Sequence, residues 1–500
     1  MPVFKDHSFR FGASGGTAEV YDIEKSIRFE DGNSPILKKT FSSAGTEETF
    51  TFSCWVKRSN VGSGLGNSNL GVTLFSGGPN VSNYGEIVFR SNGYGVQDSL
   101  HFYYSKSGSI SAQLVTSRLF TDPHAWYHIV CVMDTTNEAE GDRMRIYVNG
   151  ERESAFSTET YPAKDAVPDF NTASEHGIGG FAVSTDYRFF EGYLAEIKFL
   201  DGYAYDSSYF GEFNSDNIWI PKEYTDSYGQ NGFYINAQDS SNLGHDYQTE
   251  DRSGTTNDFT ATNLGVYDQV PDSPTNNWCV LSTINKTPSI GIFNGGLGHN
   301  YYSNQYNDGA SGSLMVPNSG KWYWEQIVIA ANIYGGYAGF KTQGVTNRKH
   351  TPTNVPNGGG STVGRWGNRI FKDGPSVELL AGTPSAKEVT GIMIDLDNYT
   401  VQFYEDGSTI GSAVSIASTY SGWLPFISTN TVGSEQGVAP LQTGYTANFV
   451  ARVNFGQDST FGGVLAGNTH TDANGLGNFK KQPPTDALAI CTRNIITGLT

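Results

Sequence analysis

The chain has 500 residues, which is long for one β-sandwich and suits two domains with connecting segments. It contains 60 glycines and 13% aromatic residues, whereas only 16% of its residues are charged. This composition favours short strands and turns over long helices, and no long apolar run indicates a membrane span. The formal net charge of −18 argues against a nucleic-acid-binding surface, because such a surface needs Lys and Arg to displace counterions.

The first segment, residues 1–22, is irregular and includes the glycine-rich run GASGG. It is expected to be either an N-terminal arm that docks on a partner or a disordered start. It lacks the charged and apolar regions of a secretory signal peptide, so export by the usual route is not expected.

The strongest strand pattern lies in the central hairpin, which we define as Trp126–Glu151. Apolar side chains alternate along both of its arms: Tyr127, Ile129, Cys131 and Met133 in the first, and Met144, Ile146 and Val148 in the second. Such alternation predicts half-buried strands. Asn149-Gly150 predicts a tight turn, because both residues tolerate positive φ.

Two further segments show the same period of two. In TFTFSCWVKRS, one face carries Phe50, Phe52, Cys54 and Val56, and Trp55 lies opposite. In FFEGYLAEIKFLDGYAYD, the pattern alternates Ala195, Ile197 and Phe199 with Glu196 and Lys198. Strands at this spacing without intervening helices predict an antiparallel sandwich. Cys54 and Cys131 lie inside apolar patterns and are expected to be buried thiols, with no disulfide indicated between them.

The order FTFSCWVK, WYHIVCVMD, RMRIYVNGE, IGG and FFEGYLAEIKFLDGYAYD resembles the LamG, or concanavalin-A-like, lectin domain over residues 23–212. The resemblance implies a jelly roll of two packed antiparallel sheets. Residues 213–284 are rich in Asn, Asp, Ser and Thr, and Pro271 and Pro274 interrupt them. They are expected to form an irregular linker, although aromatics such as Phe233 and Tyr234 would let it pack on a sandwich.

A second module is predicted over 285–490, followed by a C-terminal tail, 491–500. In it Ile392, Ile394 and Leu396 share one face, and turns follow near Asp397-Asn398 and Asp406-Gly407. The order KWYWE, GIMIDLDNYTVQFYEDG, WLPFI and VNFGQ is similar to SPRY domains over about residues 285–465, which implies another β-sandwich. The expected fold is therefore all-β, with two tandem antiparallel jelly-roll sandwiches joined by a linker.

The two modules in tandem resemble virion proteins of marine tailed phages, where such chains are tail fibres, tail-associated spikes or capsid appendages. The resemblance implies a structural protein on the tail or capsid surface of the virion. Its implied partners are other virion proteins and a host-surface polysaccharide, and it implies a homo-oligomer, a trimer by analogy. Neither nucleic acid nor membrane insertion is expected. No long shaft is visible in the sequence, which favours a compact appendage over a long fibre.

No catalytic constellation is found, so an enzyme is not expected. A retaining glycosidase needs two carboxyl groups about 5 Å apart. Glu191 and Glu196 are five residues apart and so fall on opposite faces of a strand. Asp395 is expected to form a turn, and His101 and His128 are expected to have cross-strand partners instead of catalytic roles.

A binding function needs fewer features: aromatic rings that stack on sugars, polar groups for their hydroxyls, and often calcium held by oxygens. The candidate loops are 60–69, 77–84 and 184–187 in the first module, and 304–308, 365–366 and 418–423 in the second. The candidate carbohydrate-binding residues are Tyr84, Arg365, Trp366 and Trp423, although both tryptophans also suit a core. No cofactor is expected except calcium, for which the candidate ligands are Asp134, Asp142 and Asn149 around the central hairpin.

Three functions follow from these observations. The favoured one is a virion structural protein that contacts host glycans through sandwich loops. The alternative is a free carbohydrate-binding lectin, which would be stabilised by sugar or calcium and would have no virion role. The least favoured is a polysaccharide-degrading enzyme, which would release reducing ends.

Overall fold

The computed structural model describes residues 21–62, 71–91, 96–184, 188–248, 257–287, 290–301, 309–330, 337–343, 345, 360–373, 376–381, 384–428 and 450–497. The chain divides into two compact units, residues 1–276 and 277–500, and each is described by itself. Over the described ranges both units are built from β-sheets with predominantly antiparallel pairing, which confirms the predicted fold class. No helix in those ranges is long and apolar enough to cross a bilayer.

The described part of the first unit contains strands β1 to β18. Their bounds are β1 Ser26–Phe29, β2 Ile36–Thr40, β3 Thr49–Arg58, β4 Gly71–Asn80, β5 Asn83–Arg90, β6 Ser99–Lys106, β7 Ser109–Leu119, β8 Trp126–Asp134, β9 Met144–Val148, β10 Glu151–Arg152, β11 Phe156–Thr160, β12 Glu175–Ile178, β13 Gly192–Asp201, β14 Gly211–Phe213, β15 Trp219–Pro221, β16 Phe233–Ile235, β17 Thr260–Thr262 and β18 Gln269–Val270. Short 3-10 turns occur at Asp31–Asn33, Glu140–Asp142, Ser207–Tyr209 and Val266–Asp268.

These strands form two large sheets and a small hairpin. The first sheet has the order β10-β9-β8-β3-β13-β1-β18, with β16 added beside β13, and the second has the order β11-β7-β6-β5-β4-β12-β2-β17. β14 pairs with β15 alone. The core lies between the inner faces of the two sheets, where Phe52 of the first sheet stacks on Phe75 of the second at 5.0 Å. This arrangement is the sandwich that the alternating pattern predicts.

The central hairpin has the predicted register. β8 pairs with β9 so that Cys131 lies opposite Ile146 and Met133 lies opposite Met144, and these side chains belong to the core. The φ angles of Asn149 and Gly150 are 48° and 86°. Both are positive, as a tight two-residue hairpin turn requires.

The first unit extends beyond the predicted boundary at residue 212. Three short parts of the segment predicted as an irregular linker form strands on this unit: β16 pairs with β13, β17 with β2 and β18 with β1. Trp219 is 9% exposed and packs on the His128 ring, to which its indole nitrogen donates a 3.1 Å hydrogen bond. Burial of these aromatics and pairing of the sheet edges keep the segment on the sandwich.

The described part of the second unit contains strands β19 to β33 and one short helix. Their bounds are β19 Leu281–Lys286, β20 Ile290–Phe293, β21 Gly298–Tyr301, β22 Gly309–Gly312, β23 Lys321–Ala330, β24 Tyr337–Thr342, β25 Thr362–Trp366, β26 Arg369–Lys372, β27 Ser376–Leu379, β28 Val389–Asp395, β29 Thr400–Glu405, β30 Ser408–Ser415, β31 Trp423–Ser428, β32 Val450–Asn454, β33 Ala487–Ala489 and α1 Thr492–Thr497. A 3-10 turn lies at Asn294–Gly296.

The second unit is also a pair of sheets. The third sheet has the order β19-β22-β31-β24-β25-β26-β27, and the fourth has the order β20-β21-β32-β23-β28-β29-β30, with β33 parallel to β23. The ring centre of Trp324 in the fourth sheet lies 6.5 Å from that of Phe340 in the third sheet, so the core lies between the two sheets. The predicted hairpin at Asp397-Asn398 connects β28 to β29, and its inward residues Ile392 and Ile394 are fully buried.

The ends of the second unit also differ from the prediction. Trp278 is 1% exposed and forms a β-bridge with Cys491, so the unit begins at 277 instead of 285. Residues 491–497 are part of it, while 498–500 lie outside the described residues. Residues 1–20 of the predicted N-terminal arm also lie outside them. All four cysteines are buried, as expected of Cys54 and Cys131.

Candidate functional site

The outer face of the first sheet is covered by the chain that follows β13. A second apolar cluster forms there, on the side of β8 away from the core, and it includes Val130, Val132, Leu200, Phe210, Tyr224 and Tyr228. Strand β16 then pairs with β13 so that Tyr234 lies opposite Lys198. Residues 203–248 therefore pack on the outer face of the first sheet and form a new surface there.

A β-bulge in β13 determines which side chains face this surface. The register against β3 shifts between Ala195 and Lys198, and Glu196 has a φ of 51°. Leu194 and Ile197 both enter the core although they are three residues apart, so Ala195 does not share the core face of Ile197 as predicted. The inserted residue places Glu196 beside Lys198 on the outer side, at a backbone conformation that is unfavourable for a residue with a side chain.

Glu196 is the centre of a buried hydrogen-bond network. It is 5% exposed and pairs with Lys198, which is 3% exposed. Tyr21 and Tyr234 donate hydrogen bonds to its two oxygens at 2.9 and 2.6 Å. The ammonium group of Lys198 also lies 4.3 Å from the centre of the Tyr234 ring. Every acceptor oxygen of this carboxylate is thus matched by a donor.

The two phenols of this network remain protonated. Burial raises the pKa of Tyr21 and Tyr234 far above the ordinary value, and the neighbouring Glu196 carboxylate raises the pKa of each further. Burial likewise raises the pKa of Tyr228. The hydroxyl groups therefore act as hydrogen-bond donors and not as bases over the range in which proteins are folded.

A pocket of about 390 Å³ opens beside this network. We call it the tyrosine pocket, and its lining residues are Tyr21, Lys198, Glu223, Tyr224, Thr225, Asp226, Tyr228, Tyr234, Asn236, Tyr247 and Gln248. Five of these are tyrosines, and Glu223 and Asp226 are exposed carboxylates at its edge. Aromatic faces with a few polar groups are typical of sites for small polar ligands and sugars.

The aromatic surface continues beyond the pocket. In what we call the tyrosine row, ring centres follow one another from Tyr234 to Tyr228 at 6.1 Å, to Tyr224 at 5.0 Å, to Tyr205 at 6.4 Å and to Tyr209 at 3.9 Å. Tyr209 is 38% exposed, whereas Tyr224 is 7% exposed. The row therefore leads from the pocket to the open surface.

The sequence pattern did not predict this site. Its tyrosines lie mostly in the segment assigned as a linker, and its acidic centre depends on the bulge. One sequence feature could have indicated it: seven of the 28 tyrosines fall within residues 203–247, at positions 203, 205, 209, 224, 228, 234 and 247. A segment that needed only to connect two domains would not require so many aromatic side chains.

Tyr84, a predicted sugar-binding residue, lies at another place on the first unit. It is half-buried on β5, its ring contacts Phe181 at 4.9 Å, and its hydroxyl lies 3.1 Å from that of Tyr103. Tyr103 in turn donates to Glu86, which pairs with Arg188. Tyr84 thus belongs to a separate polar cluster on the second sheet. Of the loops predicted beside it, residues 63–69 and 185–187 lie outside the described residues.

The candidates in the second unit are buried. Trp366 is 4% exposed within an aromatic cluster that includes Phe371, and Trp423 is fully buried. Arg365 is 3% exposed and forms an ion pair with Glu405. Their ring faces and guanidinium are directed into the protein, so their burial does not support stacking on a sugar. The loop 304–308 lies outside the described residues.

The candidate calcium ligands already have partners. The Asn149 side-chain oxygen accepts a 2.7 Å hydrogen bond from the His128 amide, and Asp142 pairs with Arg152 at 2.7 Å. Asp134 accepts from the Thr136 hydroxyl at 2.7 Å. Among the described residues, no three His, Cys, Asp or Glu side chains are grouped in a way that could hold a metal ion. These oxygens serve the hairpin and its turns.

The predicted cross-strand partners of the histidines are found. His101 accepts a 2.8 Å hydrogen bond from Arg90 on the neighbouring strand β5. His128 lies 2.9 Å from the Ser53 hydroxyl on β3. Burial lowers the pKa of His128 to about 3, so it is neutral near pH 7. Asp395 accepts the main-chain amides of Asp397 and Asn398 and forms the predicted turn.

Comparisons with known proteins give a family match within the first unit. Residues 31–204 match the family model of the concanavalin A-like lectin/glucanases superfamily. No curated protein sequence matches the chain.

Solved structures give weaker similarities. The SPRY domain of human HERC1 is 12% identical, covers 35% of this chain and 96% of its own, and gives a TM-score of 0.27. The heptameric SAP-like pentraxin of Limulus polyphemus is 15% identical, with coverages of 37% and 80% and a TM-score of 0.26. A Bacteroides ovatus protein provisionally assigned as carbohydrate-binding is 16% identical, with coverages of 48% and 60% and a TM-score of 0.30. TM-scores this low carry no argument about function. The match over residues 31–204 identifies the first unit as containing a concanavalin A-like domain.

Proposed function

We propose that this chain is a non-catalytic, carbohydrate-binding protein of a virion surface. The observation that carries the binding role is the tyrosine pocket on the outer face of the first sheet. A sugar has apolar faces that pack on aromatic rings and hydroxyl groups that need polar partners. Tyr247 supplies a ring, Asn236 an amide, and Glu223 and Asp226 carboxylate acceptors, all at one opening.

The binding role is tested by a glycan array followed by calorimetry on the glycans that bind. Tyr247→Ala removes a half-buried pocket ring and should weaken binding roughly ten-fold, the effect of one aromatic anchor worth more than about 1 kcal/mol. Tyr267→Ala is the control, because Tyr267 is an exposed tyrosine of the same unit outside the pocket. Equal losses in both variants, or none in either, would place binding elsewhere, and circular dichroism confirms that both are folded.

The virion role is supported by the order of sequence segments in the two tandem modules. We propose a position on the tail or capsid surface, with other virion proteins as partners, a homo-oligomeric assembly and a host-cell polysaccharide as ligand. Neither nucleic acid nor a membrane is a proposed partner. Immunogold labelling of intact particles tests this part and should show a fixed copy number at one structural position. Particles without label would leave a free lectin as the function.

Binding is proposed to need neither a metal nor catalysis. The Glu196 carboxylate already has Lys198 and two phenols as partners and needs no metal ion, so EDTA should leave glycan affinity unchanged. If EDTA lowered the affinity and calcium restored it, Asp142 and Asn149 would be the candidate ligands of a calcium ion that binding requires. Both oxygens of Glu196 are occupied by donors, and no reducing ends should appear when the protein is incubated with its glycan.

A further inference from the structure

We infer that the tyrosine pocket is one end of a longer site, which takes a linear, uncharged glycan chain and discriminates against anionic chains. This inference rests on the proposed carbohydrate binding and adds the length and charge of the ligand. Two independent features support it: the aromatic row that leaves the pocket, and the sign of the charges at the pocket edge.

Ligand length follows from the tyrosine row. A single sugar in the pocket would reach the rings near Tyr234 and Tyr228, but it would leave Tyr205 and Tyr209 uncovered. These two rings stack 3.9 Å apart with planes inclined by only 2°, and Tyr209 keeps 38% of its surface exposed. Exposed aromatic side chains held rigidly beside a pocket are the usual form of a binding anchor. Further sugars of the same chain would cover them.

Ligand charge follows from the residues at the opening. Lys198 is the one basic side chain among the pocket residues, all of which lie in the described part of the chain. It is buried and neutralised by Glu196, so it offers no charge to a ligand. Glu223 and Asp226, in contrast, are exposed at the edge. Sulfate or uronate groups would meet two like charges, whereas neutral hydroxyls would meet two hydrogen-bond acceptors.

Length is tested by calorimetry with neutral, linear gluco- and manno-oligosaccharides of increasing size, from one sugar to about six. Affinity should rise with length, and Tyr209→Ala should weaken the longest chain about five-fold while leaving the shortest unchanged. Tyr267→Ala, which removes an equally exposed tyrosine of the same unit, should change neither. A single sugar that binds as tightly as the longest chain would overturn the extended site and leave the pocket as the binding site.

Charge is tested with a neutral chain and its sulfated counterpart at low salt. The wild-type protein should bind the neutral chain more tightly. The double variant Glu223→Gln/Asp226→Asn should raise the ratio of sulfated-chain affinity to neutral-chain affinity roughly ten-fold, because it removes the repulsion of sulfate and weakens two acceptors of the neutral hydroxyls. Asp216→Asn, an exposed carboxylate of the same unit, is the matched control.

The outcomes separate the two proposals. Tighter binding of the sulfated chain by the wild type, or no response to the double variant, would overturn the charge inference while carbohydrate binding remained. An absence of binding to every glycan of the array and of the length series would overturn both.

Discussion

The network around Glu196 gives the sharpest test of the site. Glu196→Gln keeps the shape of the side chain but removes the charge that neutralises Lys198. Since the two residues are only 5% and 3% exposed, the variant leaves an ammonium group buried without its counterion. Removal of one partner from a buried ion pair typically costs about 3–5 kcal/mol. In the variant, the Tyr234 ring would still stabilise the Lys198 ammonium group by a cation–π contact. We therefore expect a loss of unfolding free energy at the lower end of this range, about 3 kcal/mol.

The double variant Glu196→Gln/Lys198→Met distinguishes the causes of that loss. If the unpaired ammonium dominates, replacing Lys198 with an apolar side chain of similar length should restore most of the stability. The free energy of unfolding of the first unit is measured by native-state hydrogen exchange of the β13 amides, because a chain with two units does not guarantee a two-state transition. A loss below about 1 kcal/mol for the single variant would refute the burial of this pair. A double variant as unstable as the single one would assign the loss to the tyrosine hydrogen bonds.

Three further predictions concern the framework. Burial raises the pKa of Glu325 to about 7, above the ordinary value of about 4.5, and a raised folded pKa contributes stability that is lost as pH rises through 7. The free energy of unfolding of the wild type, measured by urea unfolding, should therefore fall by about 3 kcal/mol relative to that of Glu325→Gln between pH 4.5 and 8. Parallel curves of unfolding free energy against pH for the two proteins would contradict this. Gly150→Ala should destabilise the first unit by more than about 1 kcal/mol, because φ is 86° at this residue and the new methyl group would lie 2.3 Å from the Trp219 ring. An unchanged thermal unfolding midpoint would contradict this prediction. Burial raises the pKa of the Cys54 and Cys131 thiols, so a thiol reagent should label neither until the protein is denatured, and rapid labelling of the native protein would contradict their burial.

The sequence predicted those parts of the fold in which each residue type has one local role. Alternation along β3, β8 and β9 identified their core faces, because a strand buried on one side must place apolar side chains at every second position. Asn149-Gly150 identified its turn, because few residue pairs adopt two consecutive positive φ angles. In these segments the local preference and the global packing agree, so a local pattern was sufficient.

Packing between distant segments was not visible in the same way. The chain after residue 212 is polar and has no long period, which indicates a linker. In the structure Trp219 packs on His128 and Phe233 lies in the core, and these contacts decide where the segment lies. A few large side chains can outweigh many polar ones, since each buries more apolar surface than several small residues together. Composition averages over such residues and therefore misses them.

The candidate site was missed for a more specific reason. A strict period of two assigns Ala195, Ile197 and Phe199 to one face, and a single inserted residue breaks that rule without leaving a mark in the hydropathy pattern. The bulge puts Leu194 instead of Ala195 on the core face of Ile197, and Glu196 lies on the outer side, where Lys198, Tyr21 and Tyr234 satisfy it. The positive φ of Glu196 is a cost that the surrounding network offsets. Strict alternation therefore fails at Ala195, next to the residue on which the pocket is organised, and a site built on such a break in strand periodicity is the place where a binding role is most worth testing.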